Sequence, residues 1–152
     1  MLLHTFRAVA NLVNLSTPLG LALADLGRGK MYRRDDLVIA EQVSLPLLNA
    51  GAMTIGNVVL IPGRTLAELE RRQPQVMRHE SAHAWQYVFC LGLPFLPLYT
   101  VATGWSWLRT GDRASANIFE VQADLEAGGY KRRPADGPLP GVIAKLRRGS
   151  AR

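Results

Sequence analysis

Between His83 and Arg109 the chain runs for 25 residues, 84 to 108, without a charge. A run of that length can cross a bilayer as a helix, so it constrains the fold before any other feature does. Gly92, Pro94, Pro97 and Gly104 interrupt it, and each removes or weakens a hydrogen bond that a helix in hydrocarbon must keep. The run is therefore read as the buried end of a helix followed by an apolar loop over a core. Its aromatic residues, Trp85, Tyr87, Tyr99, Trp105 and Trp107, also suit headgroup depth, which makes an interfacial or re-entrant membrane contact the alternative. The whole chain, 152 residues with 48% hydrophobic and 20% charged, is enough for one core and too short for two full domains.

The net charge of +6 suggests nucleic acid until it is mapped. Residues 1 to 130 carry 11 basic and 11 acidic side chains, so the excess lies in residues 131 to 152. There Lys131, Arg132, Arg133, Lys145, Arg147, Arg148 and Arg152 stand among Pro, Gly and Ala, against Asp136 alone. This is the composition of a solvated, flexible tail, not of a basic patch built on helices and strands. Nucleic acid is accordingly not expected, whereas an anionic lipid surface could meet both the tail and the uncharged run. The single cysteine, Cys90, excludes a disulfide framework and a Cys-rich zinc finger, and is read as an inert core thiol. A cytoplasmic or membrane-associated location is favoured over secretion. Ala8-Val9-Ala10 and Ala22-Leu23-Ala24 look like signal-peptidase sites, but Asn11, Asn14, Ser16, Thr17 and Pro18 break the apolar stretch between them. Residues 2 to 15 are expected to form a short amphipathic helix within a helical segment spanning 1 to 30.

The remaining signals predict an α+β domain over residues 1 to 130. Asp36 to Ala40 suits a strand, and Ala52 to Ile55 and Val58 to Ile61 suit two more, joined by a tight turn at Gly56-Asn57. The economical sheet has about three antiparallel strands. Thr65-Leu66-Ala67-Glu68 is a capping-box pattern that opens a helix, and Pro74 fits the first turn of another running from about Gln75 to Cys90. A third helix is expected from Asp112 as N-cap through Ala127, ending at Gly128-Gly129.

Two of the three histidines stand in His79-Glu80-Ser81-Ala82-His83. A spacing of four places both imidazoles on one helical face, one turn apart, within reach of a single metal ion. Glu80 lies beside that face, where its carboxylate can take a proton from a water acidified by the metal. Two ligands underfill such a site. Glu120 and Asp124, four apart on the predicted third helix, would share a partly buried face, which is costly unless a cation faces them. Glu120 as third ligand leaves a position open for water, and Asp124 one turn on could accept a proton from a ligand imidazole. Asn117, one turn before Glu120, is expected to cap or to hydrogen-bond across to the motif helix. Gln86 could reach the site from the turn after His83.

The HExxH followed by a helical ExxxD resembles the gluzincin class of zinc metallopeptidases, and the 36 residues between His83 and Glu120 resemble the minigluzincins. The stretch from Ala52 through Gly63, with the HExxH and Gln86, is similar to short metallopeptidase domains found near contractile injection systems. Together these cover about residues 50 to 128. The resemblance implies Zn2+ held by His79, His83 and Glu120, Glu80 as general base, and Asp124 orienting the first histidine. It implies a small sheet packed on the HExxH helix, with a strand edge along which a peptide substrate lies extended; Met53, Thr54 and Ile55, or Val58 and Val59 onward, are the candidate edges. An oxyanion donor is also implied, for which Tyr99, Tyr130, Arg113 and His4 all qualify. The expected activity is zinc-dependent peptide-bond hydrolysis. The rivals are a zinc-stabilised but proteolytically silent binding module and a protein anchored at a membrane surface by residues 84 to 108 and the basic tail.

Overall fold

A computed structural model describes residues 2–46 and 51–141. The chain begins with α1 (Leu2–Val13) and α2 (Ser16–Leu26), which are followed by β1 (Lys30–Arg34), β2 (Leu37–Val43), β3 (Met53–Ile55) and β4 (Val58–Pro62). Then come α3 (Leu66–Arg72), α4 (Val76–Phe89), α5 (Phe95–Thr110) and α6 (Ile118–Gln122). The class is α+β, as expected, but the sheet has four strands in the order β1-β2-β4-β3 and is mixed. β1 pairs antiparallel with β2 and β3 with β4, whereas β2 and β4 run parallel.

Two features of the chain explain the extra strand and the parallel pair. β1 is Lys-Met-Tyr-Arg-Arg, exposed along its whole length, so it shows no apolar alternation; a charged edge of this kind discourages pairing with another chain. β4 is Val-Val-Leu-Ile-Pro, buried on both faces, and such continuous apolar runs belong to central strands covered on both sides. Its Val58 and Leu60 join a cluster with Ala24, Tyr87 and Phe95, and its Val59 and Ile61 join another with Leu66, Leu69 and Ala84. The hairpin turn sits where Gly56-Asn57 places it. Gly56 has φ +60°, and a Cβ there would lie 2.6 Å from the Ser16 carbonyl carbon, so only glycine lets the turn dock on the start of α2.

The N-terminal helix ends near the predicted point, and a second follows at once. Leu15 has φ 67°, and the Ser16 hydroxyl donates to the Asn11 carbonyl (3.2 Å) and to Asn14 Oδ1 (2.6 Å). The polar residues that broke the apolar reading thus form the joint between α1 and α2. The amphipathicity of α1 is reversed: its buried residues are Arg7 and Asn11, while Leu2, Leu3, Phe6 and Val9 face outward. Arg7 donates to Ser81 Oγ of α4 (2.7 Å), pairs with Asp36, and lies over the Trp85 ring. Asn11 donates to the Ala84 carbonyl (2.8 Å) and to Asn57 Oδ1 (3.1 Å). One charged and one amide side chain therefore clamp α1 against the back of the HExxH helix.

The capping box at Thr65 is present with both bonds formed. The apolar loop expected after α4 is instead α5. Its N-cap is Pro94 and Pro97 is its third residue, so both prolines occupy the first turn, where a missing N–H costs nothing. The long third helix is also corrected. Asp112 does accept from the Ala114 and Ser115 amides (3.3 and 2.8 Å), but it caps only a turn, and the helix bearing Glu120 is the five-residue α6. Residues at the start of the basic segment are held down: the Arg133 amide donates to Ser115 Oγ (2.9 Å) and the Gly137 amide to the Arg109 carbonyl (3.0 Å). Lys145, Arg147, Arg148 and Arg152 lie outside the described residues.

Candidate metal centre

α4 puts His79, Glu80 and His83 inside the protein because its outer face is covered by α1 and its inner face by β3 and α6. The His79 and His83 Nε2 atoms lie 3.0 Å apart. Glu120, 2% exposed on α6, brings Oε2 to 3.3 Å from His79 Nε2 and Oε1 to 3.5 Å from His83 Nε2. Among the described residues these three form the group able to hold a metal ion, with one ligand atom each and all three atoms within 4.8 Å of one another.

The tautomers follow from the neighbours. His79 Nδ1 faces two carbonyl oxygens, of Ala123 (3.1 Å) and Asp124 (2.9 Å), which can only accept, so Nδ1 carries the proton. His83 Nδ1 faces Gln86 Oε1 (2.8 Å), and that amide is oriented by its own Nε2, which donates to the Phe119 carbonyl (2.9 Å). His83 therefore also donates from Nδ1. Both neutral rings then aim an Nε2 lone pair at the other and at a buried carboxylate whose Oε2 has no hydrogen-bond partner. Such a cluster repels itself unless a cation occupies its centre. Burial works against charge on His79, yet the facing Glu120 carboxylate and the nearby Glu80 raise its pKa. Burial likewise opposes ionisation of Glu120, but the facing His79 and His83 rings and the Tyr99 hydroxyl outweigh it and lower the pKa. The donor set, the orphaned oxygen and the lone-pair convergence all fit a metal ion.

A cavity of about 190 Å³ opens beside this cluster. Thr54 Oγ1 donates to Glu80 Oε2 (2.7 Å), which fixes that carboxylate on the cavity wall. Tyr99 donates to Glu120 Oε1, and Tyr130 packs near His79 with ring centroids 6.2 Å apart. Burial first, and then the Glu120 charge, raise the pKa of both phenols, so both stay protonated and able to donate.

Most of the predicted site residues converge here, and several take other roles. Met53, Thr54 and Ile55 form the edge strand β3, with Met53 and Thr54 lining the cavity. Val58 and Val59 are in the central strand β4, hydrogen-bonded on both sides, and cannot be a substrate edge. Asp124 does not orient His79 with its carboxylate. α6 ends at Gln122, Asp124 has φ +74°, and its side chain accepts instead from the Ala127 amide (3.3 Å) and faces Arg78 (3.7 Å), while its backbone carbonyl meets His79. Asn117 caps α6 through the Phe119 amide (3.0 Å) and donates to Thr103 of α5 (3.1 Å), not to the motif helix. His4 pairs with Asp36 (2.8 Å), and Arg113 does not line the cavity.

Three contributions had little or no sequence signal. The Ala123 and Asp124 carbonyls are backbone atoms and leave no trace in residue type. Gly128 looked like a helix terminator, yet a Cβ there would sit 2.5 Å from His79 Cε1, so its bare backbone makes room for the ring. Gln86, spaced three from His83, was visible as a reachable group, but its second bond to the Phe119 carbonyl was not. Comparison with protein-family models, curated proteins and solved structures finds no match to this chain.

Proposed function

We propose that the chain is a small zinc-dependent peptidase in which His79, His83 and Glu120 hold the metal and Glu80 is the general base. The observation that carries this reading is the convergence of two imidazole lone pairs and an orphaned carboxylate oxygen beside a cavity walled by a second carboxylate. Two His and one Glu, leaving further coordination open, form a donor set typical of catalytic zinc. Zinc bound there supplies a Lewis acid and a water acidified to about neutrality. Glu80, steadied by Thr54, takes the proton of the attacking water and delivers it to the leaving amine. Tyr130, protonated at the cavity wall, is placed to donate to the developing oxyanion, whereas Tyr99 is already engaged by Glu120. Among the described residues the outer edge of β3 is unpaired, so an extended peptide could add to it beside Glu80. The sequence resemblance to gluzincins supports the same ligands and base.

Metal analysis and casein digestion on one sample test the proposal. Glu80→Gln should keep the metal and lower cleavage by about 100-fold or more. Undiminished cleavage by this variant would remove Glu80 from the chemistry, and bound metal without cleavage by the parent would make the centre a structural clamp between α4 and α6.

A further inference from the structure

An amphipathic helix in water turns its apolar face to the core, and α1 does the opposite. Arg7 and Asn11 are wholly buried, whereas Leu2, Leu3, Phe6 and Val9 are 87, 70, 59 and 54% exposed. No charged side chain breaks that outer face, since Arg7 is the only Lys, Arg, Asp or Glu before Asp25. The apolar surface continues beyond α1. The joint at Asn14 abuts the α4–α5 turn so closely that a Cβ on Gly92 would lie 2.6 Å from the Asn14 side chain. Leu91 in that turn is 81% exposed. From there α5 carries Leu98, Val101, Trp105 and Leu108, all exposed and spaced three or four apart, along one stripe.

The charges at the far end of α5 identify what this surface meets. The backbone of residues 131–137 is tied to Ser115 and to the Arg109 carbonyl, which keeps Lys131, Arg132 and Arg133 next to the helix end that bears Arg109. All four are exposed. A basic group beside an exposed Trp105 and Trp107 suits anionic headgroups over hydrocarbon. No single described helix is long and apolar enough to cross a membrane; α1 and α2 together have the length and composition of a span bent by 75°, but α2 is packed on β3 and β4, which leaves the outer face of α1 for a shallow contact.

We infer that α1 and the outer stripe of α5 form one surface that inserts shallowly into an anionic bilayer, with Arg109 and Lys131–Arg133 at the headgroups. The inference stands whether or not the metal centre is catalytic. It is tested by co-sedimentation of the full chain with phosphatidylcholine vesicles containing about 30% phosphatidylglycerol, and with pure phosphatidylcholine vesicles. Binding to the anionic vesicles should be salt-sensitive and exceed that to neutral ones. Phe6→Gln with Val9→Gln, both exposed in the fold, should lower binding by about tenfold or more while leaving the thermal midpoint unchanged. Arg132→Gln and Arg133→Gln should each cost about fivefold on anionic vesicles only. Absence of vesicle binding by the parent overturns the inference. So does unaltered binding of the Phe6/Val9 variant, or a concentration-dependent dimer that this variant disperses while vesicles bind neither form.

Discussion

Gln86 is the sharpest point at which to test the metal centre, because one side chain ties both histidine orientation and the position of α6. Gln86→Leu conserves volume closely and removes two buried bonds, to His83 Nδ1 (2.8 Å) and to the Phe119 carbonyl (2.9 Å). The carbonyl keeps a partner in the Ala123 amide (3.0 Å), so the imidazole N–H is the one group left orphaned. An orphaned buried donor costs about 1–3 kcal/mol and the second bond about 1 kcal/mol, giving about 2–4 kcal/mol for the metal-free protein. For a chain of this length that lowers the thermal midpoint by about 4–16 °C. Freed of its anchor, the His83 ring can also turn its Nε2 away from the cluster, and metal affinity should fall about 10–100-fold. Competition against a chromophoric chelator reads the affinity, and thermal unfolding of the metal-free protein reads the stability. Gln86→Glu separates the two bonds: its carboxylate still accepts from His83 but can no longer donate to Phe119, so affinity should be retained while stability falls. A Leu variant that binds metal as tightly as the parent would refute the claim that Gln86 fixes the ligand geometry.

Arg7→Leu should cost about 2–4 kcal/mol in chemical denaturation, because it breaks a buried pair and leaves Asp36, itself partly exposed, with only His4; a loss under about 0.5 kcal/mol would show that α1 does not depend on the clamp. Burial works to raise the Asp112 pKa, but hydrogen bonds from the Ser115 hydroxyl and the Ser115, Ala114 and Arg113 amides outweigh it, so the folded value is depressed. The stabilisation is therefore complete above the ordinary carboxylate range and is lost as pH falls through the lowered value; Asp112→Ala should cost about 1 kcal/mol near neutrality and show a flatter acid limb in denaturation against pH. Asp124→Asn should leave metal affinity within about twofold of the parent, since the contact to His79 is made by the backbone, whereas a tenfold fall would restore the carboxylate as the orienting group.

Much of this architecture is legible in the chain because local chemistry decides it. The capping box at Thr65, the hairpin at Gly56-Asn57 and the four-residue spacing of His79 and His83 need no tertiary context to be recognised. What was missed depended on partners distant in sequence. β1 has no apolar signature because it is an edge exposed to water, and the parallel pairing of β2 with β4 arises because β4 inserts between β2 and β3. Arg7 did leave a trace, as the single Lys, Arg, Asp or Glu side chain in its helix, but only Ser81, Asp36 and Trp85 turn that oddity into a clamp. The α5 prolines read as interruptions because their distance from the helix start, not their presence, decides their effect.

The misplacement of Asp124 has a chemical consequence for the metal centre. The sequence pattern of acids four apart assumes that the helix bearing Glu120 continues, but α6 stops at Gln122 and the chain turns through a left-handed residue at Asp124. That turn swings the carboxylate toward Arg78 and leaves two neutral carbonyls behind His79. A carboxylate in that place would push charge through the imidazole and make Nε2 a stronger donor. Carbonyls hold the same tautomer without adding negative charge. The proposed ligand set carries a single formal negative charge, from Glu120, and no second carboxylate behind His79 adds to it, so a divalent ion held there would retain net positive charge. On the proposed reading that charge would polarise a carbonyl and acidify water, with Glu80 as the base that receives the proton.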